Sequence, residues 1–450
     1  MKKTSALLLL GTVAAFAQSV VAAVPDRAPL PIIFVHGNGD DAAKWVPTIW
    51  LFESNGYPAD KLFAIRFTNP VAHTDDTVDE PFRSSTTDAA AELSSYVTRI
   101  LIQTHSRQVV LVGSSRGGLT IRNYLQDGGG QHNVAAAILC GTPNHGVVVT
   151  DQAPNGEFDG GGRFLRALNG AYADGTEIVP GVRMMTLRSD KLDKFAQPTG
   201  IITGRPEAET GVSYAGPELK GATNIVLPGA DHRELAFSRA AFERMFQFIT
   251  GREPQTRDPA PEQRPILSGV ITGFAGPAPT NQPLASVHLR IYAFGSRGHT
   301  ATEHSVYETT TTSTGLWGPF SAEPNQEYEF DLEAEGRHVS YFLAPIPRSS
   351  SLLNLRFLPV PREEPPASAE ASQVFLIARP EGYFTRDRDP VTISGEPAAD
   401  EPSGLPIRDS FLVRLNKPVN MVEVKLRSEN IMVRPSLYRS KNLSIAEFLW

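Results

Sequence analysis

The stretch Val109–Gly118, VVLVGSSRGG, constrains this chain more than any other. Val109 to Val112 reads as a short buried strand. Gly113-Ser114-Ser115-Arg116-Gly117 follows without a break, and a helix-like segment, LTIRNYLQ, begins after Gly118. Strand, G-x-S-x-G and helix in direct succession are the setting of a nucleophile elbow. So sharp a turn leaves room only for glycine where the backbone crowds itself, which assigns Gly113 and Gly117 as the elbow glycines. The same turn lifts the Ser115 hydroxyl above the edge of a sheet and makes it the predicted nucleophile.

A serine hydroxyl is a weak nucleophile at neutral pH and needs a base, an orienting acid and donors for the oxyanion. The chain should supply the triad in the order serine, acid, histidine. Upstream, Pro31–Gly39 reads PIIFVHGNG, an apolar strand (32–35) ending in a His-Gly-Asn-Gly loop. The backbone N–H of Asn38, with that of Arg116, is the predicted oxyanion hole, and His36 is read as a residue that holds the loop. The base is predicted at His232, in IVLPGADHRE, where Pro228 and Gly229 end a strand and the segment SRAAFERMFQFITG carries Phe242, Met245, Phe246 and Ile249 at helical spacing. The acid is sought in RMMTLRSDKLDKFAQP (183–198), beyond a strand over 184–187. Asp193 has the better spacing. Asp190 is the alternative, or a brace of the loop, and Asp151 a third candidate. Asp231, next to His232, reads as a solvated loop charge.

Together, FVHGNG, VGSSRGG, GTPNHG (141–146), SDKLDKFAQP and GADHRELAF resemble the α/β-hydrolase lipases and esterases, in family order over residues 28–252. The resemblance implies a mostly parallel sheet with helices on both faces, and a wall of the acyl site at GTPNHG, where His145 is structural. One departure is Ser114 and Arg116 around the nucleophile, where many such lipases have His before it and a small or apolar residue after it; this bears on acyl-chain preference, not on the triad. The helix before the tail and the β-rich tail are also similar to lipases that carry a C-terminal β domain. Residues 266–358 further resemble transthyretin-like or carboxypeptidase-regulatory-like modules, through the S-G-x-I opening and the segment STGLWGPF.

The 450 residues suggest two or three domains. Met1-Lys2-Lys3, an apolar run from Ala6 to Phe16 and Val21-Ala22-Ala23 read as a signal peptide over 1–23, cleaved near Ala23, so the protein is expected to be exported, secreted or periplasmic. The apolar run is too short for a membrane anchor. Loss of Lys2 and Lys3 would take the formal charge from −7 to −9, a poor match for nucleic acid or anionic membranes. The single Cys140 excludes an internal disulfide and ends an apolar run, as a small buried hydrophobe does. No His or Cys pair has zinc-site spacing, so neither metal nor other cofactor is implied. Nothing sets the oligomeric state.

After a hydrolase domain over 24–252, the Pro-rich segment 253–265 reads as a stiff linker, 266–358 as a β-sandwich module, 359–370 as a second linker and 371–450 as a second β-rich module. The long polar stretches 68–85 and 147–180 are expected to cover the active site in part, since Phe164, Leu165 and Leu168 make at most one apolar turn. The Thr-rich run 309–314 suits an exposed sheet edge. The expected activity is that of a serine carboxylic ester hydrolase on lipid-like esters, acylglycerols or aliphatic polyesters among them. A serine acyltransferase or peptidase of the same fold, and a surface-binding protein with a vestigial hydrolase domain, are the alternatives.

Overall fold

The protein is described from a computed structural model, over residues 28–150, 152–294, 304–359, 373–437 and 440–449. The expected signal peptide, Asp151 and all but the first residue of the expected linker 359–370 lie outside the described residues.

The first half alternates strand and helix: β1 (Ile32–Val35), α1 (Val46–Ser54), β2 (Leu62–Ile65), α2 (Thr86–Thr104), β3 (Val109–Ser114), α3 (Arg116–Gln126), β4 (Val134–Cys140), α4 (Arg163–Leu168) and β5 (Arg183–Ser189). A two-stranded hairpin, β6 (Thr199–Gly200) and β7 (Arg205–Glu209), precedes β8 (Thr223–Leu227), α5 (Glu234–Phe237) and α6 (Arg239–Thr250). Six strands form one sheet in the order β2-β1-β3-β4-β5-β8, and every pairing in it is parallel. Strands such as IIFV and VVLVGS are buried at every position because both sheet faces are covered. Alternate residues of β1 serve opposite cores: Ile32 and Phe34 pack with α1 and α6, whereas Ile33 and Val35 pack with α2 and α3. Helix boundaries follow their caps. Ser85 and Asp88 form a reciprocal capping box at α2, and Ser238 caps α6, which ends on the left-handed Gly251.

The second half is all β. Its strands are β9 (Ile266–Ala275), β10 (Ala278–Pro283), β11 (His288–Ala293), β12 (Tyr307–Thr310), β13 (Leu316–Ser321), β14 (Tyr328–Ala334), β15 (Arg337–Leu343) and β16 (Leu355–Arg356). They continue with β17 (Gln373–Ala378), β18 (Thr392–Ile393), β19 (Glu396–Pro397), β20 (Ser410–Leu415), β21 (Val422–Leu426), β22 (Glu429–Val433), β23 (Ser436–Leu437) and β24 (Asn442–Glu447). An eight-stranded sheet, β12-β11-β14-β15-β24-β17-β20 with β23 beside β17, lies between two four-stranded sheets. Its Tyr341 and Ile445 face the core shared with β9 and β13, while Phe342 and Ala446 face the core shared with β21 and β22. The Thr-rich β12 is its edge, as the composition suggests.

Two expectations change. The segments 266–358 and 371–450, read as separate modules, share this middle sheet, because β15 pairs in parallel with β24 from His338↔Asn442 to Leu343↔Glu447. Period-two alternation marks a strand but not its partner. The segment 253–265 is strapped down rather than free: Asn55 Oδ1 accepts the N–H groups of Gln255 (2.6 Å) and Thr256 (3.0 Å), Ser54 Oγ accepts that of Ala260 (2.8 Å), and Arg257 pairs with Glu243. The two halves also share α1. Leu51 and Phe52 pack into the core of the first half, Val46 and Trp50 into the β core, and the Trp50 indole donates to the Ser349 carbonyl at 2.9 Å.

Candidate active site

Every loop named in the sequence leaves the carboxyl end of a strand of the parallel sheet, where open α/β sheets place their sites. His36-Gly-Asn-Gly follows β1, Ser115 follows β3, Asp193 lies beyond β5 and His232 beyond β8.

Ser115 sits between β3 and α3 at φ 53°, ψ −120°, a backbone conformation that L-residues avoid. Its N–H donates to the Cys140 carbonyl at the end of β4 (2.8 Å) and its carbonyl accepts from Gly118 (3.0 Å), so both sides of the bend are pinned. The glycines are required by contact. A Cβ on Gly113 would lie 2.7 Å from the Gly118 nitrogen, and one on Gly117 would lie 2.4 Å from the Val35 carbonyl oxygen. Gly118, to which the sequence gives no role, is equally closed: a Cβ there would meet Thr142 Oγ1 at 1.9 Å.

His232 and Asp193 come together although 39 residues apart: Nδ1 of the ring lies 2.9 Å from Asp193 Oδ1. Both are about 95% buried. The same carboxylate oxygen accepts the Phe195 N–H (2.8 Å), and the Phe195 ring meets the imidazole edge-on at 4.6 Å between centroids. Ser189 staples the two loops, its hydroxyl donating to the Ala230 carbonyl (2.7 Å) while accepting from the N–H of Leu192 (2.9 Å) and Asp193 (3.2 Å). Asp190 turns away and accepts the Gly229 N–H at 3.1 Å, a brace of the histidine loop.

The imidazole and the serine flank the same point of β4. Ser115 is tied to Cys140, and a Cβ on the next residue, Gly141, would lie 3.3 Å from His232 Nδ1. Ser115 Oγ makes no hydrogen bond to His232 here; such bonds often tighten only around substrate. The His36-Gly-Asn-Gly loop closes the site from the β1 side, where a Cβ on Gly37 would lie 3.2 Å from Ser115 Cβ. Asn38 is anchored by its side chain, Oδ1 accepting the Ala72 N–H at 2.7 Å. Among the described residues, the backbone N–H groups of Asn38 and Arg116 meet no acceptor. His36 is structural. Phe67 N–H donates to its Nε2 (3.2 Å), which puts the proton on Nδ1 facing the Gly37 carbonyl (3.0 Å). Burial holds its pKa below the usual value and keeps the ring neutral. His145 bonds Glu177 at 3.1 Å. Among the described residues, no group of three or more His, Cys, Asp or Glu converges to hold a metal.

The sequence reading missed two side-chain roles. Arg116, chosen for its N–H alone, buries its guanidinium: Nε pairs with Glu157 (2.8 Å), and Nη1 and Nη2 reach Ser84 Oγ (2.9 Å) and the Ser84 carbonyl (2.8 Å). One arginine thus ties both long loops, 68–85 and 147–180, to the elbow. In the second of these loops Leu165 and Leu168 pack inward on Leu119 of α3. Asp231 corrects an expectation. It is no solvated charge but fully buried, accepting N–H bonds from Arg233 (2.9 Å) and Glu234 (3.0 Å) through Oδ1 and from Tyr383 (2.8 Å) through Oδ2. The D-x-x-E spacing of Asp231 and Glu234 hinted at a cap; the partner 152 residues downstream had no local signature.

Residues 31–177 match the family model for palmitoyl protein thioesterase, and residues 266–359 that for the lipase C-terminal domain. The fold is that of an α/β-hydrolase with a β-rich second half. Among solved structures, this α/β-hydrolase is similar to Aspergillus fumigatus lipase B, with 17% identity over 51% of this chain and 54% of that one and a TM-score of 0.35. It therefore spans about half the length of that lipase. It is similar also to a Bacillus licheniformis lipase in its propeptide form, at 15% identity over 92% of this chain and 97% of that one, TM-score 0.37, and to the mature form of the same lipase, at 21% identity over 50% and 91%, TM-score 0.33. No curated protein sequence matches the hydrolase. Among its described residues, no helix is long and apolar enough to cross a membrane.

Proposed function

We propose that the chain is a serine hydrolase of carboxylic esters with lipid-like acyl groups, working through an acyl-enzyme. Ser115 attacks the ester carbonyl as His232 takes its proton, and Asp193 orients the ring and stabilises its charged form. The N–H groups of Asn38 and Arg116 hold the oxyanion, each worth about 3 kcal/mol. His232 passes the serine proton to the departing alcohol as the ester C–O bond breaks, and water, deprotonated in turn by His232, then releases the acid from Ser115. The observation that carries this reading is a serine on a strained elbow at the same sheet end as a histidine 2.9 Å from a buried carboxylate. Acylglycerols and aliphatic polyesters are the ester classes favoured by the sequence resemblance, and export rests on residues 1–23. A thioester is the second reading, favoured by the family model over residues 31–177; the same acyl-enzyme would serve it.

A fluorophosphonate probe should label Ser115 of the intact protein, and p-nitrophenyl butyrate should be hydrolysed. Ser115→Ala should abolish labelling and lower kcat on the order of 10⁵-fold. Unchanged turnover in that variant would remove the nucleophile from the scheme. Parallel assays on matched oxygen and thioesters decide between the two substrate classes.

A further inference from the structure

On both sides of the Asp193–His232 pair the neighbouring side chains are gripped by the β half. Asp231 and Glu234 bracket His232 and bond each other's backbone: Asp231 Oδ1 accepts the Glu234 N–H (3.0 Å) and Glu234 Oε2 accepts the Asp231 N–H (3.0 Å). Two carboxylates this buried need cations. All three come from residues 373–437. Arg379 donates to Glu234 Oε1 at 2.6 Å, Arg427 to the same oxygen at 2.7 Å, and Arg388 to Glu234 Oε2 at 2.8 Å and Asp231 Oδ2 at 3.2 Å. Arg388 also binds the Gly229 carbonyl at 2.9 Å, so the loop is held before and after the histidine. On the far side, Arg233 donates to the Pro380 carbonyl (2.8 Å) and pairs with Asp409 (2.8 Å). Lys194, which follows Asp193, donates to the Ile407 carbonyl (2.9 Å). The Tyr383 ring lies under both cations, 3.9 Å from Lys194 Nζ and 5.0 Å from the Arg233 guanidinium.

We propose that residues 379–427 form a template that sets the Asp193–His232 geometry, with Arg379, Arg388 and Tyr383 as positioning residues for the base. None touches the reacting atoms. Each acts through a residue one or two positions from the pair, and misplacement of the ring by a fraction of an ångström slows proton transfer more than it weakens substrate binding. The proposal rests on the hydrolase reading above. It assigns to the β half a part in the chemical step rather than in binding a surface.

The test uses the full chain. Arg388→Gln and Tyr383→Leu should each lower kcat on p-nitrophenyl butyrate at least tenfold with KM within twofold of the parent, and slow fluorophosphonate labelling of Ser115 in proportion. Arg388→Lys, which restores a cation, should recover at least half of the lost rate. Arg290→Gln, which breaks a pair with Asp331 on the middle sheet, should leave kcat unchanged. Parental kcat in folded Arg388→Gln and Tyr383→Leu, with folding judged by near-ultraviolet circular dichroism, overturns the proposal. So does a loss that appears in KM alone. If Arg388→Gln does not fold, Tyr383→Leu decides, since it removes the ring under the cations and leaves every buried carboxylate paired. An inactive parent indistinguishable from Ser115→Ala would instead defeat the hydrolase reading.

Discussion

At the scale of single residues, the proposed acid is chosen by where two neighbouring carboxylates point. Asp193 and Asp190 both follow β5 and are both acidic, but only the first reaches the imidazole, and the second is spent on the Gly229 N–H. Asp193→Asn is therefore expected to lower kcat by about 10³- to 10⁴-fold, since an amide facing Nδ1 favours the wrong tautomer. Asp190→Asn should stay within a few-fold of the parent, because an amide oxygen still accepts one N–H. Steady-state kinetics on p-nitrophenyl butyrate distinguish them, and a reversed ranking would transfer the role of acid to Asp190. The spacing of the acids favours Asp193 in the sequence. Asp231 was misread because the groups that bury and pair its Oδ2, Tyr383 N–H and Arg388, lie about 150 residues downstream in a segment whose own pattern speaks only of strands.

Among the elements, α1 shows what periodicity cannot convey. VPTIWLFES has no polar face because the helix is buried on two sides, against the sheet and against the β core. Such a helix carries no amphipathic signal, and the sequence reading passes over it, whereas α2, with Leu93, Val97 and Ile100 inward, declares itself. The strap 253–265 hides in the same way. Its prolines speak of stiffness, and the Asn55 side chain that receives it belongs to a different part of the chain. Asn55→Ala removes the acceptor of two N–H groups and a donor to the Leu51 and Thr256 carbonyls. Stability is expected to fall by about 2–3 kcal/mol, read as a lower urea midpoint with kcat retained. A midpoint unchanged within error would mean that the strap contributes nothing.

For the molecule as a whole, the first half was largely legible because each strand of its parallel sheet carries a short apolar run, whereas the polar hairpin β6–β7 gave no such signal. The architecture of the second half was not legible. Its β-rich character was read, but β15 and β24 were not singled out, and the parallel pairing that unites them joins segments about 100 residues apart. The junction of the halves is also where pH should act. Glu447 of β24 lines a cavity with Lys44, Arg356, Glu381 and Asp409. Burial raises its carboxyl from 4.5 to about 7, against the opposing pull of Lys44 and Arg356. Burial likewise raises Glu381 well above its ordinary value. A carboxyl whose folded pKa is raised stabilises the fold below its unfolded pKa, and that contribution disappears as pH climbs through the folded value. Glu447→Gln should therefore raise the melting temperature at pH 8 relative to the parent and leave it nearly unchanged at pH 4.5. Equal shifts at the two pH values would exclude titration of this group.

The shared helix has a consequence for descent and for engineering. Because α1 offers Trp50 to one core and Leu51 and Phe52 to the other, the halves are not interchangeable cassettes. A recombinant that inherits the hydrolase segment without its β companion inherits an indole facing water. Any lineage or designer separating the two must first rewrite one face of a nine-residue helix.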